Sequence, residues 1–221
     1  QEEACKYAAP FKYVETVVKP TRDNNADRQR RNNWWRLGRS GADWKAAVNG
    51  LHRTIFTPRV AKYRLFVWAI GTTLPDSAVV GFAHSDDRFW GVLHSRLHEV
   101  WALAQGTQLR EKESGFRYTP TTCFETFPMP EPTPEQENVI AEAALVLNEL
   151  RERWLNPPEW TREEVLEFPG TPGGPWSRYI SPGTNTVRYP RIVPKDDASA
   201  ALLKKRTLTN LYNERPTWLD L

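Results

Sequence analysis

The chain is short of the residues that staple or span. It has two cysteines in 221 residues, Cys5 and Cys123, far apart and in no CxxC pair. That spacing excludes a disulfide scaffold and a structural zinc knuckle, and it fits a reducing, cytoplasmic compartment. No apolar run approaches the roughly 20 residues a membrane helix needs, and no signal peptide is visible, so no membrane partner is expected. Charge of one sign is also missing overall: the formal net charge is +3. Glycine is sparse where a nucleotide site would want it. Gly170, Gly173 and Gly174 lie among prolines, and no predicted strand precedes them, so no cofactor loop is read here. No Ser/His/Asp or Cys/His pair is spaced for nucleophilic catalysis, and Glu111-Lys112-Glu113 reads as a loop charge run, not a nuclease core. The first residue is Gln1, so a fragment of a longer protein is expected.

What is present is aromatic and unevenly charged. Ten tryptophans supply an unusual aromatic load. From Gln1 to Arg64 there are 14 Lys/Arg against 6 Asp/Glu, a surplus of eight, while the remainder carries a deficit of five. A basic front segment points to a polyanion. The competing reading is a solvated surface, or a basic face that meets an acidic protein.

Periodicity orders the elements. Phe11–Val18 alternates and reads as a strand, followed by a polar, arginine-rich stretch to residue 33. A helix is expected over Asp43–Asn49, stopped by Gly50. Strands follow at Thr54–Pro58, Arg64–Ile70 and Ala78–Ala83. The period then changes: Phe89, Leu93, Leu97, Val100, Trp101 and Ala104 form one helical face, with Ser85, Asp86 and Asp87 available as caps. Phe116–Pro130 reads as an extended stretch closing a domain. Thr133, Pro134 and Gln136 spell a capping box for a long helix, which Asn156-Pro157-Pro158 ends. A short helix is expected at Thr161–Glu167 and another over Asp197–Tyr212, with Leu202, Leu203 and Leu211 inward. Strands with one helix, then helices, indicate an α+β fold: a mixed-sheet domain over residues 1–130 and a mainly helical extension over 131–221.

Two motifs invite chemistry. His94 and His98 stand four apart, as zinc ligands on a helix do, but Ser95 occupies the place where a zincin has glutamate, and no third ligand is evident; a structural role is the expectation. Asn156-Pro157-Pro158 is similar to the Asn-Pro-Pro-aromatic motif of amino-methyltransferases, but Glu159 takes the aromatic's place and Trp160 comes one late, so it reads as a helix stop. No metal, cofactor or catalytic residue is expected in this chain. Recognition remains. Arg22, Arg28, Arg30, Arg31, Arg36, Arg39, Arg59, Lys62, Arg64 and Arg117 are candidate phosphate contacts. Arg110 and Lys112 can donate to guanine edges, and Glu111 and Glu113 can accept from cytosine. Trp34 and Trp35 suit a core better than base stacking.

Trp34-Trp35-Arg36, Phe66-Val67-Trp68, the run from Phe89 through Trp101, and the run from Arg117 through Pro128 resemble single-chain type IIG/IIL restriction-modification enzymes and their phage-defence relatives. Arg153 to Pro158, Val187 to Arg191 and Arg206 to Asn213 carry the resemblance toward the C-terminus. It implies that residues 1–130 are a DNA target recognition domain followed by a helical extension. It also implies that the catalytic domain of the parent, an adenine-N6 methyltransferase using S-adenosylmethionine, precedes Gln1 and is this region's protein partner, with double-stranded DNA as its ligand. A nuclease, where fused, would lie earlier still.

Overall fold

The computed structural model describes residues 1–36, 41–108, 115–171 and 176–219, and it divides into two compact units, Gln1–Asn49 and Gly50–Leu221. Their contents are α+β, as the order of periods indicated. Among the described residues no helix is long and apolar enough to cross a membrane.

The first unit is helical. Its elements are α1 (Glu2–Cys5), α2 (Ala8–Tyr13), a wide π-type turn (Val14–Val18), α3 (Lys19–Arg22), α4 (Arg28–Asn32) and α5 (Ala42–Ala47). The strand expected over Phe11–Val18 is therefore a helix. The alternation was a coincidence of two periods. Phe11, Val14, Val18 and Arg22 also lie at helical spacing, and with Lys19 they are the partly buried positions from Phe11 to Arg22. Phe11 packs on the buried Trp34 at 5.4 Å, and Lys19 sits 5.2 Å above the same ring. Pro20 lacks an N–H and crowds the preceding turn, which accounts for the widened turn before it. Asp27 caps α4 by accepting from the N–H groups of Gln29 and Arg30.

The second unit holds β1 (Arg53–Pro58), β2 (Val60–Ala61), β3 (Val67–Ile70) and β4 (Val79–Phe82). It continues with α6 (Asp87–His94), α7 (Arg96–Gln105), β5 (Thr107–Gln108) and β6 (Phe116–Arg117). After a π-type turn at Pro120–Phe124 come α8 (Pro134–Leu155), β7 (Thr161–Pro169), β8 (Thr186–Pro194), α9 (Asp197–Leu203) and α10 (Leu208–Glu214). Among the described residues three antiparallel sheets form, in the orders β3-β1-β4, β2-β6-β5 and β7-β8. In the first, Ile55 stands opposite both Trp68 and Phe82. Ile55, Phe66, Phe82, Phe89, Trp90, Leu93, Phe116 and Tyr118 then share one core with Cys123. Each such side chain fully buried contributes about 1.5–3 kcal/mol.

Four expectations about elements of the second unit are corrected. The single helix over Phe89–Ala104 breaks at Ser95, whose backbone is extended and whose hydroxyl caps α7 by accepting from His98 N–H. Phe116–Pro130 is extended only at its start and then turns. Thr161–Glu167 is not a helix but the first part of β7, paired residue for residue with β8 from Thr161↔Pro194 to Pro169↔Thr186. Glu164, Leu166 and Phe168 alternate as the more buried positions. Arg188 and Arg191 clasp Glu167 and Glu164 across the pair at 2.8 and 3.3 Å. The capping box at Thr133 and Gln136 and the stop at Asn156 are as expected. The last helical stretch is two helices, with Leu211 fully buried and Leu202 exposed.

Candidate nucleic-acid interface

The sheet β2-β6-β5 is small, but its geometry is over-determined. Val60 and Thr107 both stand opposite Arg117, so these three exposed residues share its outer face. Phe116 and Tyr118 point the other way, into the core. Glycines set both approaches to the sheet. Gly115 has φ 77°, and a Cβ there would lie 2.0 Å from the Ala61 carbonyl oxygen, so no other residue fits. A Cβ on Gly106 would meet the Ala102 carbonyl and the Phe116 ring, each at 2.7 Å.

The connection from β5 to β6 carries Arg110, Glu111, Lys112 and Glu113, the residues read as base contacts. These four lie outside the described residues. The described strands on either side are hydrogen-bonded to one another, so the two ends of the loop are held together at the ladder.

The cations read as phosphate contacts divide between the units. In the first unit Arg28, Arg30 and Arg31 are exposed on α4, where Arg30 faces Asp27 at 3.6 Å and Arg31 donates to the Asn25 carbonyl. Arg36 is exposed beside the Trp35 ring. Arg22 is turned to the unit's own backbone: it donates to the carbonyls of Trp34 and Arg36. Arg39 lies outside the described residues. In the second unit Arg117 is exposed on the outer face of the sheet. Arg59 donates through Nε to the Ser77 carbonyl, and the exposed Lys62 donates to Asn213 Oδ1 at 2.7 Å.

Arg64 needs correction. It is only 6% exposed, and its guanidinium donates to Thr57 Oγ1, to the Pro58 carbonyl and to the Phe116 carbonyl, between the rings of Phe116 and Tyr118. Burial pushes it down to about 10, partly offset by the nearby Tyr118 and Cys123 groups. Among the described residues no carboxylate pairs with it. It clamps β1 to β6 from inside, and no phosphate reaches it.

The histidines are engaged apart. His94 Nε2 lies 2.9 Å from the Phe66 carbonyl oxygen, 3.0 Å from an Arg151 nitrogen and 3.2 Å from the Phe66 N–H, so Phe66 and Arg151 together enclose this one ring nitrogen. Burial first, and Arg151 next, push its pKa down to about 3, although a hydrogen bond with the Phe66 carbonyl opposes them. His98 donates from Nδ1 to the Leu93 carbonyl and accepts from the Tyr118 hydroxyl at Nε2. Burial and Arg64 lower its pKa, and burial raises that of Tyr118. Sequence reading missed Arg151, which is 3% exposed and reaches the Phe66 carbonyl from α8. Its one signal was a charge inside the apolar period of that helix.

Asn156 is the residue after α8, and its amide donates to Glu152. Gly170 does follow a strand, β7, contrary to the sequence reading. That strand, however, belongs to an antiparallel hairpin; Gly173 and Gly174 lie outside the described residues, and the next described helical element is a single 3-10 turn at Ser177–Tyr179. Among the described residues no group of His, Cys, Asp or Glu forms a metal cluster.

No described protein family and no solved structure matches the chain. A stretch of 62 residues is 39% identical to DNA methyltransferase A of Bacillus subtilis (strain 168). The match covers 28% of this chain and 7% of that protein. Part of this chain is thus related to a region of a DNA methyltransferase.

Proposed function

We propose that this chain is the DNA target recognition region of an adenine-N6 methyltransferase of the restriction-modification or phage-defence kind. The observation that carries the proposal is the partial identity to DNA methyltransferase A. The charge distribution supports it: the cations of α4 on the first unit, and Arg117 and Lys62 on the second, are exposed. In this reading residues 1–130 meet duplex DNA and residues 131–221 form the extension. The residues at 110–113 read base edges, because Arg110 and Lys112 can donate to guanine and Glu111 and Glu113 can accept from cytosine. S-adenosylmethionine belongs to the catalytic domain that is this region's partner.

The test is fluorescence anisotropy of the whole chain with a labelled duplex across a salt series. Binding is expected at low salt, falling steeply as salt rises, since each neutralised phosphate releases counterions. Absence of binding even at the lowest salt would refute the reading.

A further inference from the structure

The amphipathic faces of α7 and α8 are not used up by the core. Leu97 and Val100 on α7 are 74% and 52% exposed, and Val139 on α8 is 65% exposed. All three line an open groove of about 1170 Å³ between these helices, with Trp90 and Ala144 beneath and Phe127 at one end. Apolar residues at core spacing, left uncovered over such an area, mark an interaction surface.

Charge says what covers it. Between Glu131 and Leu155 there are six glutamates against two arginines, and one of those, Arg151, is buried. Glu131 and Glu135 stand on the groove's own rim, and Arg96 on the opposite side is neutralised by Glu99 at 2.5 Å. DNA is repelled by such a rim. A helix about 10 Å across rises 1.5 Å per residue, so the volume takes roughly ten residues, or three turns. We propose that the α7–α8 groove docks an amphipathic α-helix of another polypeptide, with apolar anchors at i, i+3, i+4 and i+7 and Lys/Arg flanks facing Glu131 and Glu135. The proposal stands apart from the DNA reading, because it concerns a face that DNA avoids.

The test uses the whole chain and three labelled peptides of about 18 residues, five helical turns. One has a leucine face with lysine flanks, one the same face with glutamate flanks, and one scrambles the first. The lysine-flanked peptide is expected to bind roughly tenfold more tightly than the other two, with the gap over the glutamate version closing as salt rises. Leu97→Asp with Val139→Asp should abolish binding while leaving the melting temperature and duplex binding unchanged, since both side chains are exposed. Glu131→Lys with Glu135→Lys should reverse the preference between flanks. Three results overturn the proposal: equal binding of the scrambled peptide, tighter binding to the aspartate variant, which would mean charge alone, and a concentration-dependent dimer in sedimentation that Leu97→Asp dissolves, which would make a second copy the occupant.

Discussion

Arg64 and His94 show how burial changes what a polar residue does. Arg64 was read in the sequence as a phosphate ligand and His94 as structural, and both lie in the core. Removing the Arg64 side chain strands the carbonyls of Pro58 and Phe116. An unsatisfied buried acceptor costs about 1–3 kcal/mol, so Arg64→Ala should lose about 2 kcal/mol or more in urea denaturation. Arg64→Met, which refills the volume, should lose less. Neither should alter DNA affinity while folded. His94 gives a pH dependence. Its folded pKa, about 3, lies below the 6.5 of the unfolded chain. Above pH 6.5 the ring is neutral in both states and the contribution is complete. Between 6.5 and 3 the unfolded chain takes up a proton that the fold refuses, so stability falls with falling pH, by an amount on the order of a few kcal/mol. His98 adds in the same direction. Denaturation midpoints measured from pH 7 to pH 4 should therefore decline, and His94→Gln should flatten the decline.

At the scale of elements, helix existence was legible where a cap and a 3.6-residue period coincided, as at Asp86 and Thr133. It failed where two periods coexisted, as over Phe11–Val18, or where the partner strand lies some twenty residues on, as with β7. Close helix approach was not legible at all. Gly91 sits where α6 crosses α8, and a Cβ there would lie 2.9 Å from Ile140 Cγ2 and 3.1 Å from Ala144 Cβ. Elsewhere in a helix Gly→Ala gains about 1 kcal/mol of propensity. Here the overpacking, typically about 1–3 kcal/mol, opposes that gain. Gly91→Ala should lower the melting temperature, whereas a gain would mean the helices part freely.

For the whole molecule, the proposed function divides the labour between two sets of contacts. On that reading the exposed arginines of α4 contact phosphates and the residues at 110–113 read bases. In the full-length methyltransferase that the proposed function implies, Arg28→Ala with Arg30→Ala should weaken binding to all sequences alike. Substituting Arg110 or Glu111 should change which base pair is methylated, at a cost of about 1–3 kcal/mol for the original site. Sequencing of methylated genomic DNA from cells carrying each variant distinguishes the two, and a shifted motif from the Arg28/Arg30 variant would reverse the roles.

Composition and period by themselves determined the α+β class, the basic front segment, the caps and the long helix, because those depend on neighbours within a few residues. Which arginines stay at the surface, which strand pairs with β7, and that Leu97, Val100 and Val139 remain uncovered were decided only by tertiary structure. The reason is physical. An apolar helical face looks the same in sequence whether the fold buries it or leaves it for a partner, and an arginine's charge reads the same whether it meets water or the carbonyls of a distant strand.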